Sequence, residues 1–308
     1  MAVSIHTAVA TPAVLGECPV WSDAEQVLYW LDIEGRVIHR HDPATGVDES
    51  RGMPGRPGAL FVTAEAGVLV TAMESDLVRV HWDRPGELET VMSLESGLPG
   101  NRLNDGRTDP GGAIVVGSMW ADASAGAVTG AMYRVAHGSP TTLRTGVGCP
   151  NGLAFDQARG RVYWTDTPTE RVIVADYDPA TGAWENERLF LDYRDLPGKP
   201  DGACLDAEGG YWSASVYGWS VIRVAPDGTI DERIELPLEK PSMPAFGGPD
   251  LDTLFVTTIG VGGGRPSAPG RDGAIPGSLL AIDGLGVRGL PEPLAVIDDA
   301  GQSATAAS

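Results

Sequence analysis

Apolar and polar positions alternate in several segments of this chain. In VLYWLD, Val27, Tyr29 and Leu31 fall on one side of an extended strand, and Leu28, Trp30 and Asp32 on the other. The same two-residue period returns in RVYWTD and GYWSAS. The partner segments VIHRHD, VIVADYD and VIRVAPD each lead into a tight ATG or DG turn. Helical periodicity is almost absent, and residues 192–196 read as a single turn at most. The strands recur as one phrase: an opening segment, a short strand, an Asp/Gly turn, and a second strand ending near Asp.

Six copies of the phrase begin near Gly16, Gly58, Asn104, Asn151, Asp201 and Pro244. Their spacing of about 42–50 residues is that of propeller blades. The expected fold is all-β: a six-bladed β-propeller with a metal site in its central channel, formed by residues 1–297 as one domain. VLYWLD, RVYWTD and GYWSAS read as inner strands. Ser4–Val9, ahead of the first copy, is expected to complete blade six and remove an open sheet edge. Residues 261–278 form a Gly/Pro-rich loop inside that blade. Residues 121–130 are expected to overhang the channel mouth as a lid, and 298–308 to form a disordered tail.

Charge then narrows the classes of function. The 308 residues carry 22 Lys+Arg against 42 Asp+Glu, a formal charge of −20. A nucleic-acid partner needs a basic stripe, which this composition excludes, and an anionic membrane surface is disfavoured. No apolar run approaches the length of a membrane span, and the first residues lack the pattern of a secretory leader. Three cysteines in so long a chain argue against a disulfide scaffold and for a reducing, cytoplasmic location.

The candidate chemistry sits at the heads of the repeats. Glu17 (LGECPVW), Asn151 (CPNGLAFD) and Asp201 (KPDGACLD) open equivalent copies, so blades around one axis bring two carboxylates and an amide together. Three oxygens of this kind suit a hard divalent cation. Taken singly, Asn-Gly and Asp-Gly would read as turn dipeptides. Arg102 and Asn104 open blade three facing the same mouth, where a guanidinium fork and an amide can bind carbonyl and hydroxyl oxygens. Asp105 reads as a support for Asn104 or for metal-bound water. Asp122, after the next strand, is placed to accept from substrate hydroxyls. Trp120, Tyr217 and Trp219 are candidates to stack on a sugar ring, while Trp21, Trp30, Trp164 and Trp212 read as packing between blades. Cys18, Cys149 and Cys204 flank the trio and read as small buried side chains, with a bridge or a zinc-thiolate site as the alternative. HExxH, GxSxG and P-loop motifs are missing from the sequence.

These segments, with RLNDG and its following DPGG, YWTDT, DAEGGYW and PAFGGPDLDTLFVTT, resemble the regucalcin / gluconolactonase / luciferin-regenerating enzyme family over about residues 14–256. The resemblance implies a lactonase acting on an aldonolactone with one divalent metal. Glu17, Asn151 and Asp201 would be its ligands, and Arg102, Asn104 and Asp122 its substrate contacts. Ca²⁺ is the ion expected, with Zn²⁺, Mn²⁺, Mg²⁺ and Fe²⁺ open. Asp201 is the expected general base, because one carboxylate oxygen can bind metal while the other takes a proton. Cys18 stands where relatives carry Gly or Ser, Asp122 where many carry Glu, and ASVYGWSV replaces a Trp-Gly-Gly run. The rivals are a non-catalytic calcium-binding scaffold, and a propeller hydrolase acting on a non-sugar lactone or ester.

Overall fold

The computed structural model describes residues 2–297; the segment 298–308 read above as a tail lies outside them. Among the described residues the strands form six four-stranded antiparallel sheets. Blade one runs Gly16–Ser22, Val27–Asp32, Val37–Asp42, Val47–Gly52 from one edge to the other. The opening strands of blades two to five are Pro57–Val62, Asn101–Thr108, Pro150–Asp156 and Lys199–Leu205. Blade six comprises Pro241–Gly247, Thr253–Thr258 and Leu279–Asp283, and Ser4–Val9 is its outermost strand, as expected. Each opening strand packs against those of the two neighbouring blades, so these six strands line the axis. VLYWLD, RVYWTD and GYWSAS are therefore the second strands outward, not the innermost, a correction to the sequence reading. No described helix is long and apolar enough to cross a membrane.

The alternation in Val27–Asp32 does not divide core from solvent, because the whole strand is buried. Val27, Tyr29 and Leu31 pack with Ala59, Phe61 and Leu69 of blade two. Leu28 and Trp30 pack with Phe255, Leu279 and Ala281 of blade six. A blade has a neighbour on each face, so a period-two strand serves two different cores. Trp21, stacked on Phe255 with ring centroids 6.5 Å apart, and Trp212, edge-on to Phe246 at 6.0 Å, join adjacent blades as read from sequence.

The N-terminal strand closes the ring by pairing Ser4 through Val9 with Asp283 through Leu279. Val9 and Ala13 also enter the core beneath blades one and six. A chain begun at Leu15 should lose about 2–4 kcal/mol, because a sheet edge opens and these side chains vanish. Thermal denaturation tests this; an unchanged midpoint would show that ring closure rests elsewhere. At the opposite end of the axis a C-terminal strap was not foreseen. Gly289 bridges to Asp206, Ala295 N–H donates to Val62 O at 2.8 Å, and Val296 N–H to Gly112 O at 2.9 Å.

Candidate functional site

Every opening strand carries a register shift near its start. The shifts fall at Glu17/Val20, Pro57/Ala59, Leu103/Gly106, Asn151/Ala154, Pro200/Ala203 and Pro241/Met243. An extra residue of this kind bends a strand and re-aims its side chains. Glu17, Asn151 and Asp201 lie at or inside three of these bulges, and Asn104 and Asp105 inside a fourth. Asn151-Gly152 and Asp201-Gly202 are thus strand positions, and the turn reading of those dipeptides is set aside. Gly152 has φ +63°, and a Cβ there would lie 2.5 Å from the Tyr211 hydroxyl, so the bulge beside Asn151 demands glycine. Cys18 holds the equivalent left-handed conformation, φ 44°, without glycine's freedom.

The terminal Asp of the second strand has a defined task. Asp32 accepts from Val14 N–H (2.9 Å) and Leu15 N–H (3.0 Å), just before Glu17. Asp166 accepts from Gly148 N–H (3.1 Å) and Cys149 N–H (2.7 Å), just before Asn151. Two blades thus use the same clamp, two residues upstream of the candidate ligand. The recurring YWLD/YWTD ending was the sequence signal for it.

Arg102, Asn104, Asn151 and Asp201 are each between 5% and 7% exposed, and Glu17 is partly exposed. Arg102 Nη1 donates to Asn104 Oδ1 at 2.6 Å, and Asn104 Nδ2 donates to Asn151 Oδ1 at 3.1 Å and to Pro150 O at 3.0 Å. Asn151 Nδ2 donates to Thr167 Oγ1 (2.9 Å), which donates to Pro200 O (2.9 Å) beside Asp201. Thr167 is a residue the sequence reading missed. Its bond holds the Asn151 amide with Nδ2 toward Thr167 and Oδ1 toward Asn104. Arg102 Nε is buried with no partner among the described residues.

The three acids share one electrostatic environment. Burial pushes Asp201 up to about 8, with the Asp105 carboxylate adding to the effect. Glu17 is raised well above the usual carboxylate range by burial and then by Asp201 and Asp105. Asp105 is pushed up to about 6 by burial, against the pull of Arg107. Asp105 Oδ2 accepts from Leu153 N–H at 3.2 Å, while Oδ1 is buried and unpartnered. Below it Arg107, also unforeseen, donates to Leu153 O (3.0 Å), Ala203 O (2.8 Å) and the Glu292 carboxylate of the strap (2.8 Å).

Not every predicted residue joins this group. Asp122 is exposed on the 121–130 loop, where its Oδ1 accepts from Ser124 N–H at 3.0 Å and caps the short turn Ala123–Ala125. No hydrogen bond or ion pair described links it to the others. Trp120 packs on Gly100, where a Cβ would come within 2.4 Å of its ring. The rings of Tyr217 and Trp219 carry guanidinium groups, Arg265 at 3.9 Å and Arg271 at 4.1 Å, so each has a face already covered. All three cysteines are free. Burial pushes Cys149 and Cys204 up to about 12, so neither is a nucleophile at neutral pH.

The region described as SMP-30/Gluconolactonase/LRE-like matches residues 15–260. Pentonolactonase XacC of Haloferax volcanii is 36% identical over 296 residues, which are 94% of this chain and 97% of that protein. A 6-deoxy-6-sulfogluconolactonase of Pseudomonas putida is 38% identical over 259 residues, 83% of this chain and 87% of its own. Among solved structures, the calcium-binding protein regucalcin of Agrobacterium tumefaciens superposes with a TM-score of 0.86 at 31% identity, covering 95% of this chain and 97% of that one.

Proposed function

Since the chain belongs to the SMP-30/gluconolactonase/LRE-like family, we propose that it hydrolyses a sugar lactone to the aldonic acid with the help of one divalent cation. The relatives' names, pentonolactonase and sulfogluconolactonase, support the reaction class. The observation that carries the reading is the buried Arg102–Asn104 pair, with the Arg102 Nε unpartnered, beside three acids that oppose one another's ionisation. A scaffold has no use for such a pair.

The donor set fits a cation. Glu17, Asn151 and Asp201 offer oxygen alone, and their carboxylates lack a neutralising partner of their own. Among the described residues no three His, Cys, Asp or Glu side chains form a metal-holding group by themselves, so the reading depends on the Asn151 amide oxygen. We take Ca²⁺ as the ion, on the calcium-binding regucalcin likeness. The cation, when bound, polarises the lactone carbonyl and stabilises charge developing on its oxygen.

The chain's own residues do the rest. Arg102, with its free N–H groups, and Asn104 orient the ring oxygens of the lactone. Asp201 takes the proton of the attacking water and returns it to the ring oxygen as the acyl–oxygen bond breaks, and Glu17 would serve as a ligand only. Thr167 keeps the Asn151 amide from turning. Asp122 accepts from a substrate hydroxyl with the carboxylate oxygen its cap leaves uncommitted. A cytoplasmic location is kept as part of the same reading, from three cysteines that stay free.

Acid release at constant pH tests it, with chelator-stripped protein, single metals added back and several aldonolactones, after subtracting spontaneous opening. Turnover restored by metal is expected on at least one. Protein that binds metal and opens none of them would favour the scaffold.

A further inference from the structure

The connection 259–278 hangs over one arc of the mouth and is fixed at several points. Its base bridges Leu15 to Ile259, and Gly260 N–H donates to Val14 O at 3.1 Å. Farther along, Ala268 N–H donates to Glu239 Oε2 at 2.7 Å. The centre of the attachment is Lys240, 1% exposed. Its ammonium has no carboxylate in ion-pair distance among the described residues; it donates to Gly263 O (2.9 Å) and to Arg265 O. A buried lysine committed to two loop carbonyls holds the backbone on either side of Gly264.

That grip presents Arg265. Its guanidinium lies 3.9 Å over the Tyr217 ring, its own N–H donates to the Tyr217 hydroxyl at 3.4 Å, and Lys240 Nζ stands 5.4 Å from the same ring. Tyr217 and Trp219 are both non-glycine residues in the left-handed region, φ 66° and 57°, flanking Gly218. Strain of this kind is kept where the surroundings require a geometry. The stack orders a side chain that is otherwise rich in rotamers, so less freedom is lost when it binds. Arg265 is exposed and, unlike Arg56 with Glu34 and Glu74 or Arg271 with Glu235, has no carboxylate partner among the described residues. In a chain with 42 acids and 22 bases, a held, exposed cation with no carboxylate in ion-pair distance among the described residues is available to an outside anion.

Its position selects the anion. Tyr217 directly follows Val216, which pairs with Lys199 two residues before Asp201. Val14 and Leu15 lie just before Glu17. Arg265 therefore stands at the same end of blades five and six as the heads of Asp201 and Glu17, with Arg102 and Asn104 at that end of blade three. A lactone with its carbonyl at the ligand ring and its far end turned toward blades five and six would bring an exocyclic group to that rim.

We propose that Arg265, stacked on Tyr217 and with its loop held by Lys240, recognises an oxyanion such as phosphate or sulfonate at the end of the sugar lactone remote from the carbonyl. This rests on the lactonase reading. Guanidinium suits such groups because its fork pairs two oxygens at once.

The test compares glucono-1,5-lactone with its 6-phosphate in turnover, and gluconate with 6-phosphogluconate in calorimetric binding, using the metal-loaded protein. Native protein should favour the phosphorylated member of each pair. Arg265→Ala should lower kcat/KM for the phosphorylated lactone about tenfold, mostly through KM, and weaken 6-phosphogluconate similarly, with neutral compounds changed less than twofold. Arg265→Lys should recover part of the loss. Equal handling of both pairs by the native protein, or an equal loss on both in Arg265→Ala, overturns the proposal. A preference in binding without turnover on either lactone would uphold the anion site and remove the lactonase reading beneath it.

Discussion

Replacing Asp201 by Asn should lower turnover about 10²–10⁴-fold, the usual contribution of a placed general base. The amide keeps the volume and one oxygen for a cation, and removes the group that takes the water's proton. Neighbouring backbone should hold, since Asp201 sits inside Lys199–Leu205, paired across Pro200 to Ser215 and Ala203 to Ser213. The measurement is kcat on the preferred lactone together with metal stoichiometry by titration. Lost turnover with metal still bound assigns Asp201 the base. Normal turnover in the metal-bound variant would remove that role. Glu17→Gln supplies the contrast, because a ligand that moves no proton should weaken metal binding first and be rescued in part by excess metal. Arg102→Ala should raise KM at least as much as it lowers kcat.

The metal-stripped protein should grow less stable as pH rises from 5.5 to 8.5, by a few kcal/mol. Asp201 and Asp105, at about 8 and about 6 in the folded chain, start from model values of 3.8, and Glu17 is raised as well. Between those limits the folded state binds more protons than the unfolded one. Stability is therefore greatest below the unfolded values and is lost as pH climbs through the folded ones. His41, whose imidazole burial holds below its ordinary value, works in the opposite direction as pH rises to that value, so the comparison with Asp201→Asn isolates the buried acids. Added divalent cation should reverse the loss. The gain in Tm should be larger at pH 8.5 than at 5.5, because at the lower pH metal must displace protons. Thermal melts with and without metal at both pH values, repeated on Asp201→Asn, decide this. A flat profile in the stripped native protein, or a slope unchanged in the variant, would mean that these carboxylates do not oppose one another as described.

Much of the molecule was readable before any coordinates. Glu17, Asn104, Asn151 and Asp201 head equivalent repeats, and repetition is a local property that survives in one sequence. Ser4–Val9 was legible because an unpaired strand must find an edge. Other features were not. The bulges that re-aim Glu17, Asn151 and Asp201 shift pairing by a residue, and neither periodicity nor propensity registers a shift that depends on the partner strand. Thr167 and Arg107 act through contacts with Asn151, Leu153, Ala203 and Glu292, far off in the chain. Tyr217 and Trp219 looked available to a sugar because a sequence lists aromatic rings without saying what lies on them. Here arginines from a loop about 50 residues later do.

By itself the sequence determined the strands, their sixfold recurrence, the acidic balance of the chain, and the residue types gathered at the repeat heads. These follow from alternation, turn chemistry and charge, each expressed within a few neighbouring residues. Tertiary structure decided which strand faces the axis and that both faces of the second strand are core. It also decided that Asp105 joins the acids of Glu17 and Asp201, that Asp122 caps its own loop, and that Lys240 sets Arg265 over Tyr217. Those outcomes depend on ring closure, which joins residues as distant as Ser4 and Asp283, and no local pattern encodes the distance between side chains on different blades.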